Sequence, residues 1–333
     1  MNRVWLVLLF ALVGACAPAG QGPTERGSKD PLVWPQPPEQ ARIQYLYDFR
    51  EPRDLGLKES FLKRVWGVIA GKEDRRMIKP YAIAVQGQRI AVADPGARAL
   101  HVFDMASNKY WRISKAGKTY LRSPVGVSLA GDRIYLSDSF LGKVFVFDPE
   151  GKHLSTIKGL ARPTGLAYDQ KGKRLFVAET LGHRIAVFDP RGKKQFAFGK
   201  RGDKNGRFNF PSHLFIRGDT LYVNDTMNFR LQAFDLQGKY RSSFGKHGDG
   251  SGHFAQPKGV GVDAKGHIYV VDALFDRVQI FDPKGRYLLT FGGQGGKAGN
   301  FWLPSGLFIA QDRIYVADSY NQRVQVFQFL GGG

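Results

Sequence analysis

An acid closing one short apolar run and a phenylalanine closing the next stand nine residues apart, six times over. The pairs are Asp94/Phe103, Asp138/Phe147, Glu179/Phe188, Asp225/Phe234, Asp272/Phe281 and Asp318/Phe327. They recur every 41 to 47 residues, and a proline precedes each: Pro80, Pro124, Pro163, Pro211, Pro257 and Pro304. A unit of this length is too small to hide its own apolar faces, so consecutive units have to stack on one another. Units built of short strands do so by closing into a ring of small sheets, an all-β six-bladed β-propeller with four antiparallel strands per blade. The repeat thus constrains architecture strongly and leaves chemistry to the loops and the central channel.

The third repeat gives the parse. Gly165–Tyr168 forms a first strand and Arg174–Ala178 a second that ends at Glu179. Arg184–Phe188 forms a third and Gln195–Phe198 a fourth, with Asp-x-x-Gly turns between antiparallel neighbours. Repeats four to six add a fuller signature, Phe198-Gly199 to Phe208 and Pro211, Phe244-Gly245 to Phe254 and Pro257, Phe291-Gly292 to Phe301 and Pro304. Each spans 13 residues from first Phe to Pro. In these motifs the chain resembles the NHL-repeat family of β-propellers over residues 74–329, although the first repeat lacks the Phe-Gly ending and the third carries Glu179 for Asp.

The sixth repeat runs out after its third strand, at Phe327-Gln328-Phe329-Leu330. An alternating segment outside the repeat register, Ile43-Gln44-Tyr45-Leu46-Tyr47-Asp48-Phe49, supplies the missing strand. Residues 42–49 are therefore expected to complete the last blade, closing a propeller domain over 41–330 and removing its open edge. Between closing strand and first repeat, Phe61, Leu62, Val65, Trp66 and Ile69 share one helical stripe, which predicts a short helix over 59–70.

Residues 1–15 have the layout of a secretory signal, with Arg3 ahead of an apolar run from Val4 to Val13 and small residues at Gly14-Ala15. The one cysteine of the chain follows at once. Val13-Gly14-Ala15-Cys16 resembles the lipobox of bacterial lipoproteins, which implies acylation at Cys16. Two or three acyl chains, at roughly 0.8 kcal/mol per buried methylene, anchor a protein without a spanning helix. In that family an Asp after the cysteine favours inner-membrane retention; Ala17 stands here, so the expectation is the outer membrane, facing the periplasm. Residues 16–40, rich in Pro and Gly, read as a lipidated tether.

Six equivalent acids around a ring suit a structural role better than a catalytic one, and five of them are followed at one offset by Lys143, Arg184, Arg230, Arg277 or Arg323. The net charge of +20 has two sources. Lys109, Lys152, Lys193, Lys239 and Arg286 close the turns into the outermost strands, where cations guard an exposed edge. Part of the rest lies on one face, roughly +10 against roughly +5 on the opposite one, because second-to-third-strand loops and blade-to-blade loops leave a meander at the same end. That face also carries Phe140, Met227, Phe229, Phe275 and Tyr320 beside Lys200, Arg201, Lys204 and Arg207. Aromatic and basic side chains together mark these residues as candidates for partner binding.

Catalytic zinc takes about three convergent ligands. Among the innermost-strand starts only His213, standing where glycine is usual, is a weak candidate metal ligand, so no cofactor is expected. The reading is a lipid-anchored envelope protein whose propeller is a rigid scaffold for a protein or acidic envelope ligand. A channel-site metal-dependent lyase or hydrolase, like other six-bladed propeller enzymes, is the alternative. Nucleic acid is not an expected partner, because an exported domain does not meet cytoplasmic RNA.

Overall fold

The computed structural model describes residues 31–57 and 75–331; Cys16 and the expected 59–70 helix lie outside them. Six antiparallel sheets follow the chain in order. Blade 1 is Ala82–Gln86, Arg89–Asp94, Ala99–Asp104 and Lys109–Ile113; blade 2 is Pro124–Ala130, Arg133–Asp138, Lys143–Phe147 and His153–Ile157. Blade 3 is Pro163–Asp169, Arg174–Glu179, Arg184–Phe188 and Lys194–Phe198, and blade 4 is Pro211–Arg217, Thr220–Asp225, Arg230–Asp235 and Tyr240–Phe244. Blade 5 is Pro257–Val262, Ile268–Asp272, Arg277–Phe281 and Tyr287–Gly292; blade 6 takes Leu307–Ala310, Arg313–Asp318 and Arg323–Phe329 from the repeats. Among the described residues the helical content is three 3-10 turns, Pro52–Leu55, Thr180–Gly182 and Thr226–Asn228.

The fourth strand of blade 6 is Ile43–Phe49, paired antiparallel to Arg323–Phe329 with Ile43 opposite Phe329 and Phe49 opposite Val324. The expected closure by the N-terminal segment is what the ring shows. Innermost strands touch in order, and that of blade 6 touches that of blade 1. Six apolar clusters fill the six interfaces, each drawing on two adjacent blades. No blade owns a core, which is why the period needs a ring.

Two elements depart from the expected parse. Val33–Trp34, inside the stretch read as tether, adds a fifth strand to blade 6 against Ile43 and Gln44. Its driving force is the Trp34 ring, 5.9 Å from Phe291 and 5.8 Å from Phe327, a burial that outweighs the extended preference of a Pro-rich segment. Between blades 1 and 2, where the Phe-Gly signature is missing, a small hairpin of Lys115–Ala116 and Thr119–Tyr120 buries Ala116 and Leu121 instead.

Glycine explains the signature elsewhere. Gly199, Gly245 and Gly292 hold φ of 88°, 95° and 93°. A Cβ on any of them would strike the ring of Phe208, Phe254 or Phe301, each wholly buried. The two halves of the motif are one packing contact.

Candidate functional site

The six blade-end acids are all buried. Asp94 accepts from the backbone N–H groups of Ile78 (2.6 Å), Lys79 (2.9 Å) and Ala97 (2.9 Å). Asp138 accepts from Arg122 at 2.7 Å, and Asp272 from Ala255 at 2.9 Å and Gln256 at 2.8 Å. Each acid thus pins the loop that enters its own blade. Arg184, Arg230 and Arg323 reach Glu179, Asp225 and Asp318 at 2.6, 2.8 and 2.7 Å. Arg277 does otherwise, donating to the Asp249 carbonyl at 2.9 Å and lying 4.7 Å over Phe275. Seven residues after three of the acids, buried Gln232, Gln279 and Gln325 donate to the carbonyls of Arg207, His253 and Asn300. These glutamines were not singled out in the sequence, though their recurrence at one offset is visible there.

Burial pushes the Asp225 and Asp318 carboxyls up despite their donors. At Asp94 and Glu179 burial acts the same way, but His101 and Arg184, with backbone N–H groups, outweigh it and leave both lowered. The acids are engaged in holding loops.

The loops they hold share one shape. Four residues after each acid the backbone is left-handed, at Arg98, Gly142, His183, Phe229, Asp276 and Gln322, with φ between 49° and 62°. Only blade 2 uses glycine there. Two residues after the acid, this shape turns an apolar side chain outward in five blades: Phe140 (68% exposed), Leu181 (54%), Met227 (50%), Leu274 (59%) and Tyr320 (44%). Together they crown the loop face of the ring.

The expected candidates divide accordingly. Phe140, Met227 and Tyr320 belong to the crown. Phe229 and Phe275 are half-buried instead: Phe229 sits 4.4 Å from the His247 ring, and Phe275 underlies Arg277. Their positions in the crown are taken by Met227 and Leu274, and Leu181 completes it; counting from the acid would have found all five. Lys200, Arg201 and Lys204 are exposed, whereas Arg207 is half-buried with its carbonyl bonded to Arg230. Cations also lie on crown rings, Arg122 at 4.9 Å over Phe140 and Lys79 at 4.4 Å over Tyr320, beside exposed Trp302.

Inside the crown is the channel mouth, formed by the residues at and just before the starts of the innermost strands. Four of these strands carry glycine next, and a Cβ on Gly126, Gly165, Gly259 or Gly306 would collide with the neighbouring strand's backbone. Blades 1 and 4, opposite each other, carry Ala82 and His213 there instead. The mouth hydroxyls are engaged between blades, Thr164 with the Ser212 carbonyl at 2.9 Å and Ser305 with the Tyr81 carbonyl at 3.0 Å. His213 stacks on Tyr81 across the channel, centroids 5.7 Å apart, and lines a cavity of about 220 Å³ below. Burial, then the charge of Lys258, holds its pKa down to about 3. Among the described residues no group of three or more His, Cys, Asp or Glu is placed to hold a metal ion, and His213 has no such companions.

A family model described as a 6-bladed beta-propeller matches residues 207–291, and the NHL repeat model matches residues 301–327. The chain is a six-bladed β-propeller with a match to the NHL repeat in its last blade. No curated protein matches it. Solved structures similar to this propeller include a protein of unknown function from Bacteroides thetaiotaomicron, 15% identical at a TM-score of 0.59, covering 77% of this chain and 70% of that one. Kuenenia stuttgartiensis hydrazine synthase is 14% identical at a TM-score of 0.56, over 78% of this chain and 98% of that one. A streptogramin B lyase is 11% identical at a TM-score of 0.58, over 76% and 94%. At such identities the likeness is one of fold.

Proposed function

We propose that this propeller is a lipid-anchored protein of the bacterial envelope, held through Cys16 at the outer membrane and facing the periplasm. Its loop face docks an acidic protein partner. The observation that carries the reading is the crown. Five exposed apolar side chains at one register, with Arg122 and Lys79 laid on two of their rings, form an apolar centre with a cationic surround. Isolated exposed apolar residues are ordinary on any surface; a recurrent set ringing one channel mouth is what a docking site uses. The buried acids hold every loop in place beforehand, so little ordering entropy is lost on binding. Lys200, Arg201 and Lys204 speed the encounter with an anionic partner.

The channel-site lyase remains the second reading, favoured by His213 in the channel and by the shared fold with the streptogramin B lyase. A reaction needing a resident metal lacks a ligand set among the described residues. The test is affinity capture from envelope extract with the Cys16→Ser chain, repeated with Phe140→Ser/Met227→Ser/Leu274→Ser. The reading expects a partner retained by the first and lost by the second, at unchanged melting temperature, with affinity falling as salt rises. Equal retention by both chains defeats it.

A further inference from the structure

We infer that the channel mouth binds a small organic anion, its charged head held by the Lys258 ammonium and the His213 Nε2–H and its apolar tail in the cavity below. This goes beyond the loop-face reading and does not depend on it. The first observation is a buried ring nitrogen without a partner. His213 is 8% exposed, and its Nε2 is buried without a hydrogen-bond partner. Its Nδ1 lies 3.0 Å from the Ser212 hydroxyl, which is 2.6 Å from that of Thr226. When Thr226 donates to Ser212 and Ser212 to Nδ1, the ring proton sits on Nε2 and that nitrogen is an unsatisfied donor. A buried donor left unsatisfied costs about 1–3 kcal/mol, a cost that an anion at the cavity roof removes.

The second observation is an ammonium that pairs with no carboxylate among the described residues. Lys258 starts the innermost strand of blade 5, its Nζ 5.7 Å over the same Tyr81 ring that stacks on His213. The charge acting on it is another ammonium, Lys79, whose Nζ is bonded to the Tyr320 hydroxyl at 3.1 Å. Arg162 bears on Tyr81. The groups shown to act on or meet Lys258 are Lys79, Tyr81 and His213, and among the described residues no carboxylate forms an ion pair with it. Burial holds the Lys258 amine down to about 8, which is the cost of a buried cation awaiting its partner.

The tail follows from the walls. Ile83, Leu166, Phe215 and Phe308 line the cavity, and Phe215 and Phe308 meet edge to face at 5.6 Å. At about 220 Å³ it takes a short aliphatic or single-ring group, several times the ~30 Å³ share of a water molecule.

The probe is hexanoate, with hexanol and inorganic phosphate as comparisons, titrated calorimetrically into the Cys16→Ser chain at pH 7. Expected is one saturable site for hexanoate, at least tenfold weaker binding of both hexanol and phosphate, and affinity that falls as pH rises through about 8 and Lys258 loses its proton. Lys258→Met is expected to lose at least tenfold in affinity, Lys258→Arg to retain binding, and His213→Phe to lose binding independently. Lys200→Met/Lys204→Met stays within twofold of the parent, which separates this site from the loop face. The absence of saturable hexanoate binding, equal affinity for hexanol, or Lys258→Met binding as tightly as the parent overturns the inference.

Discussion

Arg323 is where head and tail of the chain are locked together, and replacing it with methionine isolates that lock. The side chain is 2% exposed. Its Nε donates to Asp318 at 2.7 Å, one terminal nitrogen to Asp48 of the closing strand at 2.8 Å, and the other to the carbonyls of Lys297 and Asn300 at 2.8 and 2.9 Å. Methionine fills similar space and removes every donor. Asp318 is then a fully buried carboxylate without its cation, kept only by the Trp302 N–H and the amides of Asn321 and Gln325. Removing one partner of a buried pair costs about 3–5 kcal/mol. Asp48→Asn should cost far less, about 1 kcal/mol or below, because that carboxylate is 23% exposed. Asp318→Asn/Arg323→Met should cost less than the sum of its singles by about 1.5–3 kcal/mol, since neutralising Asp318 cancels the orphaned charge. Urea unfolding followed by tryptophan fluorescence gives all four values at a shared slope. Arg323→Met within 1 kcal/mol of the parent, or additive singles, would mean that Asp318 does not depend on this cation.

Gly245→Ala should destabilise more than Gly206→Ala although both are left-handed: about 1 kcal/mol is the backbone cost at Gly206, where a Cβ meets open space, and a further 1–3 arises at Gly245 from the Phe254 ring. Chemical denaturation of the two variants side by side reads the difference. At Lys258 the amine is depressed from 10.5 to about 8, so the unfolded chain binds more protons between those values. The destabilisation is fully present below pH 8 and relieved as pH rises towards 10.5. Lys258→Met should therefore be at least as stable as the parent at pH 7, and the gap should narrow by pH 10, measured by urea midpoints at both values.

The ring was legible in the sequence because its period is carried by residues that packing and backbone leave no choice over. The acids have to meet the entering loop, and the Phe-Gly pairs have to meet Phe208, Phe254 and Phe301. The closing strand was legible by subtraction, since a blade short of one strand demands another. Val33–Trp34 was not, because two residues beside prolines carry no periodic signal and are fixed by one indole among rings of blades 5 and 6. The crown was half legible. Phe229 and Phe275 are aromatic and near the acids, yet the shared loop shape turns them inward and presents Leu181 and Leu274, an outcome set by left-handed residues that mostly are not glycine. Lys258 passed unnoticed because a lysine at a strand start is ordinary until Tyr81 and His213 are brought to it from other blades.

Channel, mouth and loop face exist only if the N-terminal segment closes the last blade. Gln44 and Gln328 are direct partners across that junction, half-buried and 284 positions apart in sequence. In a Cys16→Ser chain, Gln44→Cys/Gln328→Cys should oxidise to an intramolecular disulfide, seen as a mobility shift on non-reducing gels, and its melting temperature should rise above that of the reduced form. A pair that stays reduced in the folded protein under mild oxidant, or that links only between molecules, would contradict the ring.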